Sequence, residues 1–410
     1  MTSRHIPLQK CSKGFSLVEL MVATTIGLIV SLAIFAALNT FEGRKRTSTS
    51  VNDIDQAGNY VAYALDKWVR NAGSGFSQNL DGAFDYFLCT LTAAKSSAQI
   101  LPRTTNLPAT FSAVTAANGN TFRLAPALIY PGGPHGDALV IMSGSAGQGE
   151  SAAPFRAAPT SSVLTVYSAT GFKANDLLLV ARKGALGPCM IEQVGSVDTT
   201  NLNAQLLNLS GTFYSATTNS VSLASSTFCS TATSSGAARK CTAVNLGNVS
   251  TGTGNFSNPP TFLALAVGNN NTLFGYDLLQ TLSTTNTLAD QEFPVADGVF
   301  EMRALYGVDS NNDGRVDTWT TATGNFAPAT LTAANGSGSA NLCRIKAIRI
   351  GLIMRTALEE KDSVSNSSLV LFNDVGLPSS VSVDPHFRYR IVETTIPLRN
   401  MLNVTSCPSA

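Results

Sequence analysis

Two short stretches of this chain carry residues whose type and spacing could do chemistry. The first is "KGFSLVELMVA", Lys13 to Ala23, where a carboxylate, Glu19, stands near the start of an apolar run. From Phe15 to Leu38 every other residue is apolar, small or hydroxylated. A charge in hydrocarbon costs on the order of 2.5–3.5 kcal/mol at mid-membrane and less near an end, so Glu19 calls for a partner of opposite sign. The second stretch is "DSNNDGRVDTW". Asp309, Asn311 and Asp313 alternate, Gly314 permits a tight turn, and Asp317 follows. Side-chain oxygens at the first, third and fifth places, then a backbone carbonyl (here that of Arg315), form the ligand order of a calcium loop. Thr320 stands where such a loop has its bidentate Glu, so the missing oxygen is expected from Asp317, another loop or water. The competing reading is a polar hairpin turn, which Asn-Asp-Gly makes unaided. Calcium is the one cofactor the sequence nominates.

Other chemistries find little support. The histidines are His5, His135 and His386, and no GxSxG elbow frames a nucleophile for them. Walker A and GxGxxG phosphate loops are missing from the sequence, as are CxxC and Cys/His metal spacings. "PGGPHGD" (131–137) reads as a turn, and Glu359-Glu360 with Lys361-Asp362 as a solvated hairpin tip. No catalytic residue is nominated, and the chain is expected not to be an enzyme.

The residues around Glu19 resemble the precursors of type IV pilins and pseudopilins. Those share a short basic leader ending in Gly, then Phe, then an apolar helix whose fifth residue is Glu; Gly14, Phe15 and Glu19 stand at those positions. The resemblance implies cleavage between Gly14 and Phe15 by a prepilin peptidase and N-methylation of Phe15. It also implies pairing of Glu19 with the N-terminal amine of a neighbouring subunit, which would neutralise two charges that hydrocarbon disfavours and report register between subunits. "VRNAG" (69–73), "GFKANDLLLVARKGALGPCMIEQV" (171–194) and "ETTIPLRN" (393–400) resemble one subgroup, the PilW-type minor pilins. That resemblance implies an inner-membrane, single-pass protein with a periplasmic head, carried to the pilus tip and active in priming assembly. Its implied partners are other minor pilins, the major pilin, the inner-membrane assembly platform, the prepilin peptidase and a tip adhesin. A minor pseudopilin of a type II secretion system and a membrane-tethered adhesin or binding module are the alternatives.

The composition agrees with export. Charged residues are 13% of the 410, against roughly 25% for an ordinary soluble domain, and the net charge is +1. Nucleic acid is not an expected partner; the basic residues of 343–356 read as an ordinary exposed β face. Arg4, Lys10 and Lys13 favour a cytoplasmic N-terminus, although Arg44-Lys45-Arg46 sits past the other end of the apolar run. Of seven cysteines, Cys11 precedes the run, while Cys89, Cys189, Cys229, Cys241, Cys343 and Cys407 follow it. An even set beyond a membrane segment fits disulfides in an oxidising compartment. Six cysteines allow fifteen pairings; Cys229–Cys241 is the favoured local pair, because it closes a short Ser/Thr/Ala-rich loop.

These residues need positioning elements. The apolar run would make a helix roughly 36 Å long, enough to cross a bilayer core. Val51, Ile54, Val61, Leu65 and Trp68 continue at helical spacing to a stop at Gly73, with a break expected between Gly43 and Ser50. Short β runs follow at 137–142, 162–168, 175–182, 189–195 and 261–268, and longer ones at 297–309, 343–356 and 388–400. Segments 196–260 and 320–341 read as long polar loops. The expected fold is α+β and pilin-like: a long N-terminal membrane helix packed on an antiparallel β-sheet, with a large β-rich insertion in the head. The expected parts are a cleaved leader (1–14), the helix (15–72), a variable head region (73–290) and a C-terminal sheet with the acidic loop (291–410).

Overall fold

The computed structural model describes residues 14–77, 86–146, 152–182, 187–225, 228–229, 241–250, 257–282, 291–333 and 336–402. The leader before Gly14, Cys11 and Cys407 lie outside the described residues. The chain divides into two units, one ending at Asp53 and the other beginning at Ile54.

A single helix, α1, runs Leu17–Asn71. The break expected between Gly43 and Ser50 is absent. Gly43 is the weakest helix former in "FEGRKRT", and the three basic residues beside it favour helix. In the first unit the helix lies bare, with Phe15, Leu17, Val18, Leu28, Leu32 and Phe35 exposed. In the second unit one stripe of it is buried: Ile54, Gly58, Val61, Ala64, Leu65 and Val69. That spacing is the core-facing stripe of an amphipathic helix. Gly58 marks a close approach to the sheet, since a Cβ there would lie 3.1 Å from Val392 Cγ2 and 3.4 Å from Met354 Cγ. Gly73, at φ +81°, turns the chain out of the helix, and its N–H donates to the Met142 carbonyl at 2.8 Å.

The sheet beneath the helix has nine strands. Its main path runs Glu292–Asp297, Thr272–Asp277, Thr261–Val267, Gly136–Ser143, Val299–Val308, Ile345–Arg355 and Tyr389–Pro397. Ala127–Gly133 pairs with Gly136–Ser143, and Thr318–Thr320 with Val299–Val308. All pairings are antiparallel except one parallel bridge, Met302 to Gly136, which joins the two halves. Gly136–Ser143 is buried along its whole length, as a strand covered on both faces must be. The boundary expected at residue 290 therefore separates nothing in this sheet, because strands from 127–143 and 261–277 complete the one built from 291–397.

An eight-stranded sheet holds Ala98–Leu101, Thr90–Lys95, Pro188–Asp198, Asp176–Arg182, Cys241–Asn248 and Ala153–Pro154 in that order, with Gln205–Leu209 and Val163–Val166 attached. Thr90–Lys95 runs parallel to Pro188–Asp198, so this sheet is mixed. One core joins residues of α1 and both sheets; a second lies around Leu164, Leu178, Val180 and Leu207. Two expected loops contain regular structure. Cys241–Asn248 is an inner strand of the second sheet, and Gly336–Arg344 is a helix. Cys343 and Arg344 thus end a helix instead of opening a strand. Thr242, Asn245 and Gly247 in the first segment and Ser339 and Asn341 in the second interrupt the apolar period of Val244, Leu246 and Leu342, which are buried in the core.

Candidate assembly site

Glu19 has a local task that its charge alone does not reveal. Its Oε2 accepts the Ser16 N–H at 3.2 Å, while the Ser16 carbonyl accepts Leu20 N–H at 3.1 Å. Ser16 is therefore the residue before the first helical turn and Glu19 the third within it, the reach-back half of a capping box. Ser-x-x-Glu at 16–19 was the sequence signal for this bond, and reasoning from charge alone passed over it. Phe15, 88% exposed, lies beyond the cap, next to Gly14. The carboxylate is also set against the positive end of the helix dipole, which favours an anion there.

The hydroxyls along the apolar run are bound within the helix. Thr25 Oγ1 donates to the Met21 and Val22 carbonyls at 3.0 and 2.9 Å, Ser31 Oγ to Gly27 at 2.8 Å and Thr40 Oγ1 to Ala36 at 2.9 Å. Such back-bonding gives these three hydroxyls acceptors without water. The helix is long and apolar enough to cross a membrane, and no part of its most apolar window is buried within the chain.

The acidic loop follows Val299–Val308. Asp309 is buried and its two oxygens accept Asp313 N–H at 3.2 Å and Gly314 N–H at 2.8 Å. Asn311 Oδ1 accepts Asp313 N–H, and Asp313 Oδ1 accepts Arg315 N–H. Asp317 turns instead to Ser310, taking its N–H and Oγ–H, each at 2.7 Å, on one oxygen. The hydroxyl and then the amide of Ser310 hold that carboxyl below its usual range. Among the described residues no three His, Cys, Asp or Glu side chains are disposed to hold a metal ion. The five residues nominated for calcium are thus brought into one loop, but Asp309, Asp313 and Asp317 do not form a convergent ligand set.

Behind the loop, Lys346 is fully buried and its Nζ donates to the Met401 carbonyl at 3.0 Å. Burial lowers its pKa, and nearby Asp309 opposes that shift. Arg349 binds Asp374 and Glu393, and Arg355 stacks 4.4 Å from the Phe387 ring centroid. The exposed basic β face expected for 343–356 is corrected accordingly, since these three cations are engaged by partners inside the head. Glu360, expected at a solvated tip, likewise meets Arg388 at 3.0 Å.

Cys229 is bonded to Cys241, and Cys89 to Cys189 across 100 residues. The latter joins Tyr86–Cys89 to the strand that pairs with Thr90–Lys95. Cys343 is disulfide-bonded as well.

Comparison with known families gives two matches. The family described as Type IV Pilus-assembly protein W matches residues 265–400, and the prokaryotic N-terminal methylation motif matches residues 9–35. No curated protein matches the chain, and no solved structure does. The first match takes in strands on both sides of Gly136–Ser143 in the nine-stranded sheet, and the second spans Gly14, Phe15 and Glu19. These two signatures on one chain support a type IV pilus minor pilin of the PilW type, with the apolar part of α1 as its inner-membrane anchor before it enters the pilus.

Proposed function

We propose that this minor pilin helps to prime type IV pilus polymerisation, together with other minor pilins, and takes a place at the pilus tip. The observation that carries the reading is the pairing of a methylation-type helix start, Phe15 with Glu19, with a head built on two large β-sheets. The first is the means of packing helix against helix in an assembly. The second is bulk that a closely repeating shaft must accommodate at every subunit and that an end position need not. Nothing in the reading calls for catalysis; the work is structural. The major pilin, the membrane assembly platform and a tip adhesin are the further proposed partners, and the prepilin peptidase is the proposed processing enzyme.

Deleting the gene tests this. Loss of surface pili, restored by the wild-type chain, is the expected result. Intact pili with lost adhesion would favour a membrane-tethered binding module, and failed protein secretion a pseudopilin. Calcium at the 309–317 loop is a separate proposal that rests on ligand order, and its test follows in the Discussion.

A further inference from the structure

Among the described residues, the long edges of the two large sheets are blunted, with one exception. Glu292–Asp297 carries Pro294 and pairs across a register shift. Ala127–Gly133 carries Pro131 and a register shift, Ala98–Leu101 and Val163–Val166 have four residues each, and Ala153–Pro154 has two. Short strands, prolines and bulges are the means by which proteins prevent unwanted strand pairing. Tyr389–Pro397 uses none of them before its last residue. It is nine residues long and keeps an unbroken register against Ile345–Arg355.

The direction of its free groups follows from that register. The Leu398 N–H donates to the Lys346 carbonyl at 2.8 Å, and the Arg388 carbonyl accepts Thr356 N–H at 3.0 Å. Alternation between these two ends turns the N–H and C=O of Ile391, Glu393 and Thr395 away from the sheet. None of those backbone groups has a partner among the described residues. The side chains are arranged differently. Arg390 pairs with Asp55 of α1 at 3.0 Å and Glu393 with Arg349 at 2.6 Å, so both faces of the strand are fixed while its edge stays open.

The strand also borders α1. Asp55 meets Arg390, Gly58 faces Val392 and Asn71 meets Asn400, so strand and helix run side by side in one direction. A subunit that packs along this part of α1 is brought to the open edge.

We infer that Tyr389–Pro397 is a docking edge that receives an extended segment of a neighbouring pilin-type subunit as an added β-strand. The inference rests on the proposed role in assembly. Its occupant is chosen by continuity of the edge with α1, the element through which pilins pack. The outward amides and carbonyls of Ile391, Glu393 and Thr395 supply the ladder, and Ile391, 39% exposed, supplies an apolar contact on one face.

The test uses the full chain, recovered from cell membranes with its co-assembled pilins. Thr395→Pro removes an outward N–H without touching the inner ladder, and Ile391→Lys places a charge on the edge. Both variants are expected at wild-type levels with unchanged protease resistance, and each is expected to recover about tenfold less of one pilin-type partner. Wild-type recovery by both variants overturns the docking edge while leaving the assembly role intact. Wild-type chain that recovers no pilin overturns the assembly role itself. Loss of self-association alone, read from the mass of the purified chain, overturns the chosen occupant in favour of a second copy. If Thr395→Pro proves unstable, the Ile391→Lys result decides.

Discussion

Asn400 Nδ2 donates to the carbonyls of both Asn71 and Ala72, each at 3.1 Å. The last turn of α1 is thereby closed by a side chain from the short helix Arg399–Leu402, across more than 300 positions of sequence. Helix ends leave carbonyls unsatisfied, and this contact fills two of them. Asn400→Ala is expected to lower stability by about 0.5–1.5 kcal/mol in chemical denaturation of the head. An unchanged midpoint would mean that water replaces the side chain without loss.

Two substitutions separate the roles of Glu19. Glu19→Gln keeps an oxygen for the Ser16 N–H and removes the charge, whereas Glu19→Ala removes both. Both variants are expected to be cleaved after Gly14 and inserted normally, and both to be depleted from sheared pili. If Glu19→Gln enters pili like the wild type, the helix cap is the function and charge pairing is not.

Glu192 provides a pH test. Burial pushes its carboxyl up to about 8, against the opposing hydrogen bond from Ser215 N–H at 3.0 Å. An unfolded Glu titrates near 4.3, so the folded state binds this proton more tightly. The stabilisation is complete below about pH 4 and is lost as pH rises through about 8. Glu192→Gln should match the wild type near pH 4 and exceed it above about pH 8, by a few kcal/mol. Parallel denaturation curves across that range would refute the burial argument.

The disulfides should differ in worth. In the chain-entropy account a loop of about 100 residues contributes about 4.7 kcal/mol and one of about 15 residues about 3 kcal/mol. Replacing Cys89 and Cys189 by Ala is therefore expected to lower the denaturation midpoint more than replacing Cys229 and Cys241. The reverse order would place the stabilisation in native packing around Cys241 and Phe228.

For the acidic loop, calcium is expected to raise the thermal midpoint of the wild type, and Asp313→Ala to abolish the rise. Equal loss of stability in chelator and in calcium would leave the loop a hydrogen-bonded turn and nothing more. Asp317→Ala would show whether that carboxyl can leave Ser310 to join an ion.

Some of this was legible in the sequence because the residues carry their own period. Phe15–Leu38 reads as a membrane span from length alone, and Ile54, Val61 and Leu65 mark the buried stripe. The strands at 137–142, 175–182 and 261–268 appear within a residue or two of those positions, as apolar runs bounded by Gly, Asn and Ser. Lys346 could not be read this way. A lysine in "CRIKAIRIG" looks like an outward residue of an alternating strand, whereas its Nζ is turned inward to the Met401 carbonyl across the fold. Cys241–Asn248 was hidden for a related reason: its neighbours in the sheet are distant in sequence, and Thr242, Asn245 and Gly247 conceal its apolar face.

The single bridge between Met302 and Gly136 has a consequence for how this protein can be divided. The region recognised at family level, 265–400, lies on both sides of Gly136–Ser143, a strand that it does not itself contain. Cut out alone, that region would fall into two strips with raw inner borders and no α1 to cover them. The unit of inheritance and the unit of folding are therefore different here. A fragment chosen by homology is expected to aggregate, and one beginning at Ile54 to remain soluble.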